Sequence, residues 1–128
     1  MGRLATHAAF ALAIAACGCA HTATPQELAD ATTRAVYDAD YDRTTAGFDD
    51  ALKTQVTRAS VGQLSDRMRA LGAYHGLRET ARDPAKNRYD FEAAFDKGTM
   101  AVMIRIDPDS KLAAYRIAPQ SSSTAPAR

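Results

Sequence analysis

Apolar residues recur along this chain with two different periods. From residue 25 to residue 71 they return every three or four positions, the spacing of one helix face. From residue 74 to residue 118 they alternate, the spacing of a half-buried strand. Thr24-Pro25-Gln26-Glu27 reads as a helix start, with a threonine cap, proline in the first turn and a glutamate placed to close a capping box. Leu28, Ala31, Ala35, Val36 and Ala39 then form the expected buried stripe, with Tyr37 and Tyr41 on a neighbouring face. Asp38-Ala39-Asp40-Tyr41 is an expected break, since Asp favours caps and turns. A second short helix is predicted over 42–48, with a turn before Thr57. Thr57 should cap a third helix over 58–71, in which Val61, Leu64, Met68 and Leu71 face inward, Ser65 and Arg69 lie off the stripe, and Gly72 ends it.

Beyond Gly72 the pattern predicts four strands. Tyr74–Arg82 is a weak one with Gly76 at a bulge. Residues 83–87 form a turn. Tyr89, Phe91, Ala93 and Phe95 alternate with polar or small residues, Asp96-Lys97-Gly98 turns the chain, and Met100, Val102, Ile104 and Ile106 alternate in the next strand. Asp107-Pro108-Asp109-Ser110 is a second tight turn before Leu112–Ala118, which shows Tyr115 and Ile117 on one face. Strands joined by such short turns imply an antiparallel meander. The expected class is α+β: about three N-terminal helices packed on a four-stranded antiparallel sheet, spanning 25–119. Residues 120–128, rich in Ser, Pro and Ala, are expected to be disordered.

The first residues follow a different logic. Arg3 precedes an alanine-rich apolar run through Ala16, far shorter than the ~20 residues of a spanning helix. Ile14-Ala15-Ala16-Cys17 closes that run and resembles the lipobox of bacterial lipoproteins. The resemblance implies a signal peptide over 1–16, cleavage between Ala16 and Cys17, and acylation (palmitate among the chains) of Cys17. Residues 17–24 would then be a lipidated tether, and Cys17 the link to the membrane. An ordinary secretory signal with an incidental cysteine is the alternative. By resemblance to lipoprotein sorting rules, Gly18 after the acylated cysteine points to the outer membrane, facing the periplasm. Cys19 is too near Cys17 for a relaxed disulfide, and no third cysteine exists.

Composition narrows the function. Losing residues 1–16 leaves 112 of 128 residues, and the loss of Arg3 takes 16 Lys+Arg to 15, level with 15 Asp+Glu. That balance argues against a nucleic-acid binder. The charges are uneven, however: residues 27–53 are mainly acidic and 58–88 mainly basic. They read either as solvated faces that attract one another or as a two-sided partner surface. No Gly-x-Ser-x-Gly elbow and no glycine-rich phosphate loop occurs. His75 stands alone, without the partners a metal site needs. No cofactor and no metal is expected.

Phe48-Asp49-Asp50-Ala51-Leu52, Val56-Thr57, Leu64 and Leu71-Gly72-Ala73 resemble a small exported bacterial domain of unknown function. So do Phe95-Asp96-Lys97-Gly98, Asp107 to Leu112 and Ile117-Ala118-Pro119. That family belongs with the nuclear transport factor 2-like folds, in which helices and a curved sheet enclose a cone. The resemblance covers about 27–119. It implies a cone whose pocket would be lined by Tyr37, Tyr41, Tyr89 and Tyr115, with Asp90 and Arg116 as further polar groups. Alternation turns Asp90 away from Tyr89 and Phe91, toward solvent. The expected role is a non-catalytic envelope lipoprotein that binds a protein partner or a small apolar ligand. An isomerase- or dehydratase-type enzyme and a homodimeric interaction domain are the alternatives.

Overall fold

The computed structural model describes residues 22–120. The proposed signal peptide over 1–16, its proposed cut at Ala16–Cys17, most of the proposed tether over 17–24 and residues 121–128 lie outside them.

Helix α1 spans Pro25–Tyr37. Its start is the anticipated capping box: the Glu27 amide donates to Thr24 Oγ1 at 3.2 Å and the Thr24 amide to Glu27 Oε2 at 2.8 Å. Its buried face differs from the expected stripe. Ala29, Thr32, Thr33, Ala35 and Val36 are buried, whereas Ala31 and Ala39 are exposed. Two threonines can point inward because each hydroxyl is spent locally. Thr32 donates to the Leu28 carbonyl at 2.9 Å and Thr33 to the Ala29 carbonyl at 2.8 Å, which leaves their methyl groups to the core.

The middle of the helical half also departs from the expectation. The predicted helix over 42–48 is the shorter α2 (Tyr41–Thr45), and a further helix, α3 (Asp50–Gln55), stands where only a turn was expected; Asp40 and Asp49 cap them. Phe48 lies between them in extended backbone, bridged in parallel to Leu112. The Asp49 amide donates to the Leu112 carbonyl at 2.9 Å, and the Leu112 amide to the Gly47 carbonyl at 2.7 Å. Phe48 is 1 % exposed. Helix α4 runs Arg58–Ala70 under a Thr57–Ser60 capping box. Its inner face is Val61, Ser65 and Met68, so Ser65 takes a core position that the apolar pattern assigned elsewhere. Gly72 ends it at φ +93°, and a Cβ there would come within 2.6 Å of Asp96 Cβ.

Strands β1 (Tyr74–Asp83), β2 (Arg88–Phe95), β3 (Gly98–Ile106) and β4 (Leu112–Pro119) form one open antiparallel sheet in sequence order. The register slips between Tyr74 and Gly76, where the bulge was expected, and again between Glu79 and Ala81. A single 3-10 turn, Pro84–Lys86, joins β1 to β2. The fold is therefore α+β, with four α-helices among the described residues rather than three. Phe91, Ala93, Phe95, Met100, Val102 and Ile104 line the sheet face beneath the helices and join Ala29, Val36, Phe48, Met68 and Leu112 in one core. The residues that alternate with these on β2 and β3, among them Asp90, Glu92, Met103 and Arg105, face the other side of the sheet. Among the described residues no helix is long and apolar enough to cross a membrane.

The acidic and basic stretches meet directly in the Arg58–Asp42 ion pair at 3.2 Å. Most of the other pairs described are near neighbours in sequence or lie across β1 and β2, as in Arg34–Asp30 and Arg78–Glu92.

Candidate functional site

An apolar cavity of about 110 Å³ lies between the helices and β4, lined by Val36, Phe48, Val56, Val61, Leu64 and Tyr115, with Thr44 and Ser60 at its polar points. Helix α1 supplies Val36 because its caps set the phase that turns residues 29, 32, 33 and 36 inward. The parallel bridge to Leu112 supplies Phe48, whose ring sits 6.3 Å from that of Tyr115. Each polar atom at the lining has a partner. Thr44 Oγ1 donates to the Asp40 carbonyl at 2.6 Å and Ser60 Oγ to the Thr57 carbonyl at 2.8 Å. Tyr115 Oη lies 2.9 Å from Thr33 Oγ1. The Thr33 proton already goes to the Ala29 carbonyl, so Tyr115 is the donor. Burial pushes the Tyr115 phenol well above its usual range. The cavity thus offers shape and apolar surface, with no acid or base aimed into it.

A second cluster sits where the end of α1 meets the start of β1. Tyr37, Tyr74 and Phe95 pack with ring centroids 5.6 to 6.3 Å apart. Tyr74 Oη donates to Asp30 Oδ1 at 2.7 Å, and Arg34 Nε donates to the other Asp30 oxygen at 2.8 Å. The Arg34 guanidinium lies 5.1 Å from the centre of the Tyr74 ring and that of Arg69 5.0 Å from Tyr37. Burial first, and the bond to Asp30 second, push the Tyr74 phenol far up. It is a hydrogen-bond donor and not a base near neutral pH. An exposed cleft of about 280 Å³ opens beside Arg34, Tyr37, Asp38, Arg43 and Tyr74. The apolar pattern passed over Tyr74 as the first residue of a weak strand. Asp30 and Arg34 one helical turn apart on α1 are the sequence signal that something polar packs there.

The four tyrosines named from the sequence go to separate places. Tyr115 lines the apolar cavity and Tyr37 the arginine-flanked cleft. Tyr41 donates to the Val56 carbonyl at 3.4 Å with Arg58 over its ring at 4.6 Å. Tyr89 lies under Arg82 beside Thr24 and Pro25. Asp90 pairs with Arg88 at 3.2 Å. Asp90 and Arg116 both occupy the face turned away from the helices, as their register with Met103 requires. His75 Nε2 contacts Asp96 Oδ1 at the surface, while Asp96 Oδ2 accepts from the Ala73 amide at 2.8 Å. The Ala73 amide, and then His75, hold the Asp96 carboxyl below its ordinary value. Among the described residues no three His, Cys, Asp or Glu side chains are gathered as metal ligands would be.

Compared with known proteins, the chain matches no family model, no curated protein and no solved structure.

Proposed function

We propose that this chain is an envelope lipoprotein, anchored through Cys17, whose α+β domain is a binding module and not an enzyme. In this reading the helices and sheet are a compact version of the nuclear transport factor 2-like cone. The ligand is one apolar group, either a small molecule or a side chain presented by a partner protein. The observation that carries the proposal is the cavity behind Val61 and Leu64, whose hydroxyl groups are all engaged. A site without an available acid or base selects by shape and burial alone. Its volume is somewhat below that of an engineered apolar cavity of about 150 Å³ that takes benzene or xenon. The mouth includes half-buried Val56 and Leu64 and exposed Ser60, so a group can enter from the side of α3 and α4.

The test is a xenon titration followed by methyl NMR. Methyl shifts should cluster at Val36, Val56, Val61 and Leu64, and a Val61→Phe variant should lose them. No shift at these methyls, or shifts that survive Val61→Phe, would reject the binding site. The anchor is tested separately by metabolic labelling with palmitate: Cys17→Ala should abolish the label, and equal labelling would reject acylation at Cys17.

A further inference from the structure

The sheet face turned away from the helices is uncovered among the described residues, and cations outnumber anions on it: Arg78, Arg88, Arg105 and Arg116 against Asp90 and Glu92, with Glu92 paired to Arg78 at 3.3 Å. Strands β3 and β4 carry one charged residue each, Arg105 and Arg116, and both lie on this face and are exposed. Arg88 of β2 stands directly opposite Arg105 in the ladder. Like charges in that position destabilise a sheet. Arg116 is opposite Met103, one diagonal step from Arg105, or roughly 7–8 Å in a regular sheet. Asp90 pairs with Arg88 at 3.2 Å and Asp83 with Lys86 at 3.9 Å. Neither Arg105 nor Arg116 has an acidic partner within 4.0 Å among the described residues. Lys86, Arg88 and Arg105 close around a groove of about 480 Å³ with Met103 and Ala114 as its floor. Cations above an apolar floor match an anion that carries apolar atoms.

The groove's place in the fold narrows the choice of anion. Thr24 and Pro25, where the chain enters the domain, share a cleft with Arg82 and Tyr89. Tyr89 is the immediate neighbour of Arg88 on β2. The cations therefore lie at the same end of the sheet as the tether. We infer that this face docks on anionic phospholipid of the bilayer that holds Cys17, with Arg105 and Arg116 on phosphate oxygens and the Met103–Ala114 floor against the first apolar atoms below the headgroup. Guanidinium matches phosphate in bidentate geometry. A tether of under ten residues supplies the effective concentration that weak surface charges need. The inference rests on the anchored reading above.

The test uses the mature chain, residues 17–128, carrying Cys17→Ser, so that neither an acyl chain nor the apolar run before Cys17 contributes. Flotation is compared on vesicles of neutral phosphatidylcholine and on vesicles that also contain phosphatidylglycerol. The anionic vesicles should bind more tightly. At about fivefold per cation near a charged surface, Arg105→Gln with Arg116→Gln should weaken that binding by about 25-fold. The paired lysine substitutions should retain most of it, and high salt should remove it. Equal binding to both vesicle types, or a glutamine variant that binds as the parent does, would overturn the inference. So would a parent protein that dimerises through these arginines and shows no lipid preference. Unchanged thermal melting of the glutamine variant shows that it folds. Palmitate labelling reports the anchor independently: labelled Cys17 with equal vesicle binding rejects the docking face alone, and unlabelled Cys17 with arginine-dependent binding rejects the anchor alone.

Discussion

Removing the Ser65 hydroxyl tests how the end of α1 is held. The last four carbonyls of a helix lack partners within it, and here each finds one. The Arg34 carbonyl accepts from the Asp38 amide at 3.0 Å, that of Ala35 from Asp40 at 2.9 Å and that of Val36 from Ala39 at 3.0 Å. The Tyr37 carbonyl depends on α4: Ser65 Oγ donates to it at 2.7 Å and Arg69 Nε at 3.0 Å. Ser65 is 2 % exposed, so water does not readily replace its hydroxyl. Ser65→Ala should cost about 1–1.5 kcal/mol, the net worth of a hydrogen bond at a buried position. Arg69→Met keeps the stem but loses the second bond and the contact with the Tyr37 ring, for about 1 kcal/mol. The double variant leaves the carbonyl without a donor and should cost about 1 kcal/mol more than the two singles together, because an unmet polar group carries its own penalty. The assay is urea unfolding. With a slope of roughly 1–3 kcal/mol per molar, each single change moves the midpoint by about 0.3–1.5 M while the slope stays constant. A Ser65→Ala variant within about 0.3 kcal/mol of the parent, or strict additivity in the double variant, would refute this account of the helix end.

Other consequences are open to similar tests. Phe48→Ala should cost about 3–5 kcal/mol by opening a void in the core, seen as a large drop in the thermal midpoint; a small drop would mean that residues 46–49 are not held against β4. Gly72→Ala should destabilise by more than about 1 kcal/mol, from its positive φ and the clash with Asp96, and should release the His75 contact, which histidine proton resonances report. Asp96 has a folded-state pKa below its ordinary value, so its stabilisation is present above the unfolded pKa and lost as pH falls through the folded one. The difference in thermal midpoint between the parent and Asp96→Asn should therefore shrink below about pH 4; a constant difference would reject that role. In ultraviolet titration, two of the five tyrosines, Tyr74 and Tyr115, should stay protonated until the fold is lost at alkaline pH. Their raised pKa values mean that stability falls as pH rises above the ordinary tyrosine value.

Local signals were legible wherever they are dense. The Thr24 and Thr57 caps, the change of period at Gly72 and the turns at 96–98 and 107–110 all depend on residues within a few positions of one another. They predicted α1, α4 and four strands in the right order. The buried faces were harder to read. Ser65 and Thr33 look polar in a sequence, yet both are buried because a carbonyl lies within reach, of α1 for Ser65 and of the preceding turn for Thr33. Phe48 looked helical because its neighbours suit a helix. Pairing with Leu112, far along the chain, holds it in extended backbone between the end of α2 and the start of α3.

The site shows the same division. Tyrosines were visible as candidates, but each ended where its own element carried it. Only the fold reveals that Tyr74 meets Asp30, 44 positions away, or that Arg88, Arg105 and Arg116 share one uncovered face beside the point where the chain enters the domain. By itself the sequence determined the α+β class, the strand order and the short apolar run just before Cys17, because spacing, caps and turn residues act locally. The tertiary structure decided which polar side chains are buried, how much space remains between helices and sheet, and which charges go unpaired. Those properties belong to contacts between distant segments, and no periodicity in the chain encodes them.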